Sequence, residues 1–156
     1  MTKQFFIQYV RENQERLRRY LIALCCGDVA AADDIAQETY MKAYLTADTF
    51  RDETKFTAWI FRIAYNSFLS LRQSWHPTED IENAAGVMTD EGKDYQELYL
   101  ALDRLSEKER SAVLLYYIQG YAVKEIAEVM NSSENAVKLH LSRGRAHLRE
   151  LLHKLN

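Results

Sequence analysis

Along most of the chain, apolar residues recur every three or four positions, the spacing of helices that bury one face. Phe6, Val10, Leu17, Leu21 and Leu24 trace the first such stripe, and Gly27 ends it. Asp28 is a good N-cap for a second helix, expected over about 28–45. A third is expected over about 54–72, with Phe56, Ile60, Ile63, Ser67 and Leu71 on one face; the polar stretch 46–53 before it reads as a loop. Three helices of this length can close a small bundle.

The pattern resumes after a gap. Leu98, Leu102 and Leu105 mark a short helix, and Ser106-Glu107-Lys108-Glu109 fits a capping box that opens the next, running through Tyr117 and ended by Gly120. A short helix over about 123–130, the turn Asn131-Ser132-Ser133 and a long helix over about 134–154 then form a helix-turn-helix pattern. In the long helix Val137, Leu141, Gly144 and Leu148 fall on the inner side, with Gly144 small enough for a close crossing. Glu134, Asn135, Lys138, Ser142, Arg143 and Arg145 fall on the outer side.

Composition separates the two helical parts. All six Phe, both Trp and five of ten Tyr lie in residues 1–75, whereas 76–156 hold no Phe or Trp, so different cores are expected. Residues 76–94 carry the only Pro, two of five Gly, six acidic residues and one Lys, with no apolar period, and read as a flexible acidic linker. The expected fold is therefore all-α: two small helical domains, 1–75 and 95–156, joined by this linker, with the helix-turn-helix in the second. With 47% apolar and 28% charged residues, disorder and a large catalytic barrel are excluded.

Taken at face value, the net charge of −3 speaks against a nucleic-acid partner, but it is an average. Residues 1–75 carry +1, the linker −5 and residues 95–156 +1. From residue 135 to residue 156, five Lys/Arg (138, 143, 145, 149 and 154) face one Glu (150), a local excess suited to phosphate. An acidic tether would limit non-specific DNA binding by the free chain.

Other chemistry finds little support. No phosphate-cradling glycine loop, metalloprotease helix motif or nucleophile elbow occurs, so no catalytic residues are expected. Glu150-Leu151-Leu152-His153 matches half of a di-iron helix motif without its partners, and His140, His147 and His153 lack the spacing of helical zinc ligands, so no metal or other cofactor is expected. Cys25 and Cys26 are sequence neighbours and read as reduced packing residues. The longest apolar run, 112–118, is far short of the roughly 20 residues that span a bilayer, and the start fits no signal peptide, so a cytoplasmic location without membrane insertion is expected.

Residues 32–44 (ADDIAQETYMKAY), 50–66 (FRDETKFTAWIFRIAYN) and 105–148, with its KEIAEVM, AVK and SRGR segments, resemble bacterial sigma factors of the extracytoplasmic-function group, in the same order and with the linker in the same place. The resemblance implies a monomeric initiation factor without catalysis of its own. Such a factor binds core RNA polymerase, through the β′ clamp helices and the β flap, and engages double-stranded promoter DNA and the melted −10 strand. It also implies an anti-sigma partner.

Residue by residue, the resemblance assigns Asp34, Gln37, Glu38, Met41 and Lys42, a stripe along the second helix, to polymerase docking. Phe50, Arg51, Arg62, Tyr65 and Asn66 fall to −10 melting and reading, with Trp59 reading as core. Ser133, Glu134, Asn135 and Lys138 fall to −35 base edges, with Ser142, Arg143 and Arg145 on the same outer face and the arginines placed for phosphates. The family's usual Thr near the start of the last helix is Ala136 here, and its usual polar pair is Leu139-His140, so the preferred bases do not follow. A helix-turn-helix regulator of another family and a helical protein-interaction module are the alternatives.

Overall fold

The structure, a computed structural model, describes residues 2–50, 52–72 and 95–155, with only the backbone of Glu53, Lys154 and Leu155. The expected linker 76–94 and Arg51 lie outside the described residues. Those described form α-helices and short 3₁₀ turns, with no strand among them. The helices are α1 (Lys3–Leu24), α2 (Val29–Thr46), α3 (Phe56–Leu71), α4 (Gln96–Asp103), α5 (Glu107–Tyr117), α6 (Val123–Met130) and α7 (Glu134–Leu155).

Local chemistry sets the ends. Thr2 caps α1 by accepting from the Phe5 N–H, and Asp28 caps α2 by accepting from the Ala31 N–H at 3.0 Å. Between them, Cys26 (φ 56°) and Gly27 (φ 93°) reverse the chain, and the Gly27 N–H closes back on the Ile22 oxygen. The capping box at α5 is complete, Ser106 Oγ accepting from the Glu109 N–H and Glu109 Oε1 accepting from the Ser106 N–H. Glu125 accepts in the same way from the Ala122 N–H at the start of α6.

Helices α1, α2 and α3 pack into a three-helix group in which Phe56 is the hub. The rings of Phe5, Phe6, Tyr9, Phe50 and Trp59 all stand within 6.1 Å of it, centroid to centroid. Such pairs add about 0.5–1.5 kcal/mol each beyond the area they bury. Helix α7 packs across α4, α5 and α6. A Cβ built on Gly144 would stand 2.7 Å from Val113 Cγ2, so the close crossing of α5 and α7 depends on the missing side chain.

The expectation of separate cores does not hold. Buried side chains from both groups form one continuous cluster, because α3 packs against α6 and α1 against α5. Phe61 meets Tyr121 edge to face at 5.5 Å, and Tyr20 shares a 2.8 Å hydrogen bond with Ser111. This second contact widens the buried face of α3: Phe61, Ala64, Tyr65 and Phe68 are buried beside Phe56, Ile60 and Ser67, while Leu71 is exposed.

Candidate nucleic-acid interface

The helix-turn-helix is formed by α6, a turn and α7. Asn131 takes the left-handed conformation (φ 49°) that stops α6, and the Ser132 N–H bonds back to the Ala127 oxygen. Ser133 then caps α7, its Oγ accepting from the Ala136 N–H at 3.1 Å, so this side chain is engaged in starting the helix. Val137, Leu141 and Gly144 face inward and are buried, with Leu148 partly so. Glu134, Asn135, Lys138, Ser142, Arg143 and Arg145 are all exposed on the other side. Arg145 is steadied by Tyr117, whose hydroxyl accepts from Nη1 at 3.2 Å.

Electrostatics on this face is mixed. Burial, reinforced by Lys108, holds the imidazole of His140 below its ordinary range, so it stays neutral beside Arg143. His147 Nδ1 lies 3.1 Å from Glu109 Oε1, linking α7 to the capping box of α5.

Elsewhere, Arg62 and Asn66 are exposed one turn apart on α3. Phe50 stacks on Trp59 with centroids 4.7 Å apart and planes at 17°. Trp59 is half-buried: it packs against the core, as its spacing suggested, and also stacks on Phe50. Asp52 follows in the loop; the Thr54 hydroxyl and N–H both donate to its Oδ1, holding the carboxyl below its ordinary range. Tyr65 is apart from this set: it is 2% exposed and lines a groove with Leu105 and Arg110 from the other helical group. Its ring is closed to stacking in this conformation.

On α2, Asp34, Gln37, Met41 and Lys42 are exposed in a row and Glu38 is half-buried. Lys42 Nζ lies 3.5 Å from Glu38 Oε1 and donates to Ser67 Oγ on α3 at 3.3 Å. Sequence reasoning missed Tyr44 and Leu45, which extend the row and are 41% and 75% exposed. Their signal was present, since a wholly buried α2 face would not continue through Met41 to Leu45 at four-residue spacing.

Residues 9–76 match the family model described as Sigma-70 region 2, and residues 95–148 the one described as Sigma-70, region 4. The chain is 32% identical over 155 residues to the ECF RNA polymerase sigma factor SigM of Mycobacterium tuberculosis, covering 97% of this chain and 79% of that protein. It is 31% identical over 148 residues to the ECF RNA polymerase sigma factor SigW of Bacillus subtilis, covering 83% and 79%. Among solved structures, it resembles the sigma factor RpoE of Bartonella quintana, solved with the anti-sigma factor NepR, with a TM-score of 0.79, 28% identity and 97% and 98% coverage. It also resembles CnrH, solved with the cytosolic domain of CnrY, with a TM-score of 0.74, 25% identity and 98% and 90% coverage. The chain belongs to the extracytoplasmic-function group of the sigma-70 family of RNA polymerase sigma factors.

Proposed function

We propose that this sigma factor reads a −35 element with α7 while α2 holds core RNA polymerase and the Phe50 loop with α3 engages the melted −10 strand. The observation that carries the reading is the outer face of α7. It is exposed from Glu134 to Arg145 and basic, and it is presented by a rigid turn that Asn131 and Ser133 define. The first turn, Glu134, Asn135 and Lys138, reaches base edges, and Arg143 and Arg145 bind phosphates.

At the −10 element, the stacked Phe50–Trp59 pair supplies flat apolar surface for a flipped base, and Arg62 and Asn66 supply charge and hydrogen bonds beside it. Arg51 and Tyr65 complete this set once the chain is on polymerase. The row from Asp34 to Lys42, which includes Met41 and is extended by Tyr44 and Leu45, combines charge with exposed apolar surface, as a docking face on the β′ clamp helices requires. The helix-turn-helix group contacts the β flap. An anti-sigma factor is the expected regulator, since two similar sigma factors were solved with such partners or a partner's cytosolic domain.

Reconstituted transcription tests this directly. Core polymerase with the chain should initiate from a two-element promoter and not from one lacking either element. Promoter binding without initiation would point to a regulator of another kind.

A further inference from the structure

Helix α7 buries Val137, Leu141 and Gly144 and turns its opposite side outward. At 3.6 residues per turn, Leu139 stands about 160–220° round the helix from all three, at the centre of the outward side. It is 46% exposed and stands outside the cluster of buried side chains. Among the described side chains of α7, it is the one large apolar residue left in the open.

Its surroundings are polar. Asn135 lies one turn before it, Lys138 beside it, and Ser142 and Arg143 one turn after; all four are exposed. Elsewhere, exposed apolar residues stand in groups, with Met41, Tyr44 and Leu45 on α2 and Tyr116, Tyr117 and Ile118 at the end of α5. Groups of that kind suit protein partners, whose interface centres are depleted of charge. An isolated leucine between an amide and two cations does not. It suits the major groove, where hydrogen-bonding base edges are interrupted by one apolar feature, the C5-methyl of thymine.

We propose that Leu139 is a specificity-determining residue of the −35 contact: its side chain packs on the C5-methyl of a thymine and selects a T·A pair at one position of the element. The assignment rests on the promoter-reading function above and adds what one position of that surface reads. Asn135 and Lys138 bond neighbouring base edges, and Arg143 holds the phosphate backbone that sets how deeply the helix enters. At the position facing Leu139, the cytosine amino group, or N7 and O6 of guanine, would be stripped of water against a side chain that offers no hydrogen bond. Discrimination then comes both from the methyl gained and from the polar edges left without a partner.

The test uses the full chain bound to core polymerase. Duplexes randomised across both promoter elements are selected for retained complex. Each thymine of the selected −35 element is then replaced singly by deoxyuridine, which keeps every hydrogen-bonding group and lacks only the methyl. At one thymine the wild type should bind roughly threefold to fivefold more weakly, the share of one buried methyl. Leu139→Ala puts the best helix former at an exposed site, so helix content should be unchanged, and this variant should bind the thymine and deoxyuridine duplexes alike. Leu139→Met keeps an apolar side chain and should keep the response. A selected element without thymine, or a wild type indifferent to every deoxyuridine, overturns the proposal. So does a response that survives in Leu139→Ala, because it then belongs to the shape of the duplex. Selection that enriches no −35 sequence at all would overturn the promoter-reading function instead.

Discussion

Arg110 Nη1 donates to the main-chain oxygen of Leu24 at 2.8 Å, so one buried guanidinium joins the end of α1 to the helix-turn-helix group. The C-terminal end of a helix is electronegative and favours a cation placed there. Lysine cannot replace this fork, because its single ammonium cannot reach carbonyls of Leu24, Leu102 and Leu105 in three directions. Arg110→Met should destabilise the chain by about 2–4 kcal/mol through the buried carbonyls left without a donor. Urea unfolding should show one transition for the wild type and two for the variant, because the two groups then lose their shared cooperativity.

Gly144 lies where α7 crosses α5. Replacing a helix-interior Gly with Ala ordinarily stabilises by about 1 kcal/mol. Here the added carbon would meet the stiff, buried Val113 side chain at 2.7 Å, so Gly144→Ala should give a net loss. Gly144→Val should cost about 3 kcal/mol. Thermal denaturation decides between them, and a stabilised alanine variant would show that the crossing has room.

Polymerase docking is tested at Glu38, which is half-buried and paired with Lys42. Glu38→Arg replaces a favourable pair one turn apart with a like-charge one, a penalty of only about 0.3–0.5 kcal/mol to the helix. Helix content should therefore be preserved while co-purification with core polymerase is lost. Retained co-purification would remove α2 from the docking surface.

Arg143 is exposed beyond the first turn of α7, where phosphate contact is the expected role. Arg143→Ala should weaken duplex binding on every sequence and reduce the log–log salt slope by roughly 0.9, the share of one phosphate. A loss confined to one promoter would make it a base reader.

His140 adds a pH dependence whose sign is fixed. Its imidazole is held below its ordinary range by burial and then by Lys108, with Arg143 acting the same way and Glu109 opposing. The unfolded chain therefore binds this proton more readily, and the contribution of neutral His140 is full above the ordinary histidine value and lost as pH falls through the lowered one. Between pH 7.5 and 5.5 the melting temperature of the wild type should fall more steeply than that of His140→Gln. Parallel curves would show that the imidazole titrates unperturbed.

Two further residues show what local pattern conveys and what it omits. Ser106 and Glu109 announce a capping box three residues apart, and both halves of it form. Trp59 sits among apolar positions and packs against the core as expected, but its spacing did not show that Phe50 from the preceding loop stacks on its half-exposed ring. A spacing rule describes one helix and is blind to a ring arriving from a loop.

Helix existence, type and ends at Asp28, Ser106, Asn131 and Ser133 were determined by the sequence alone, because caps, glycines and apolar period act within a few residues. The inward and outward sides of α7 were determined in the same way, since a helix that buries Val137 and Leu141 must expose Lys138 and Arg143. Tertiary structure alone decided that α3 is covered on a second face, that Tyr65 is buried and that Arg110 spans the two groups. Those facts depend on α6 and α5 arriving from residues far along the chain, and no periodicity within one helix records which neighbour will cover it.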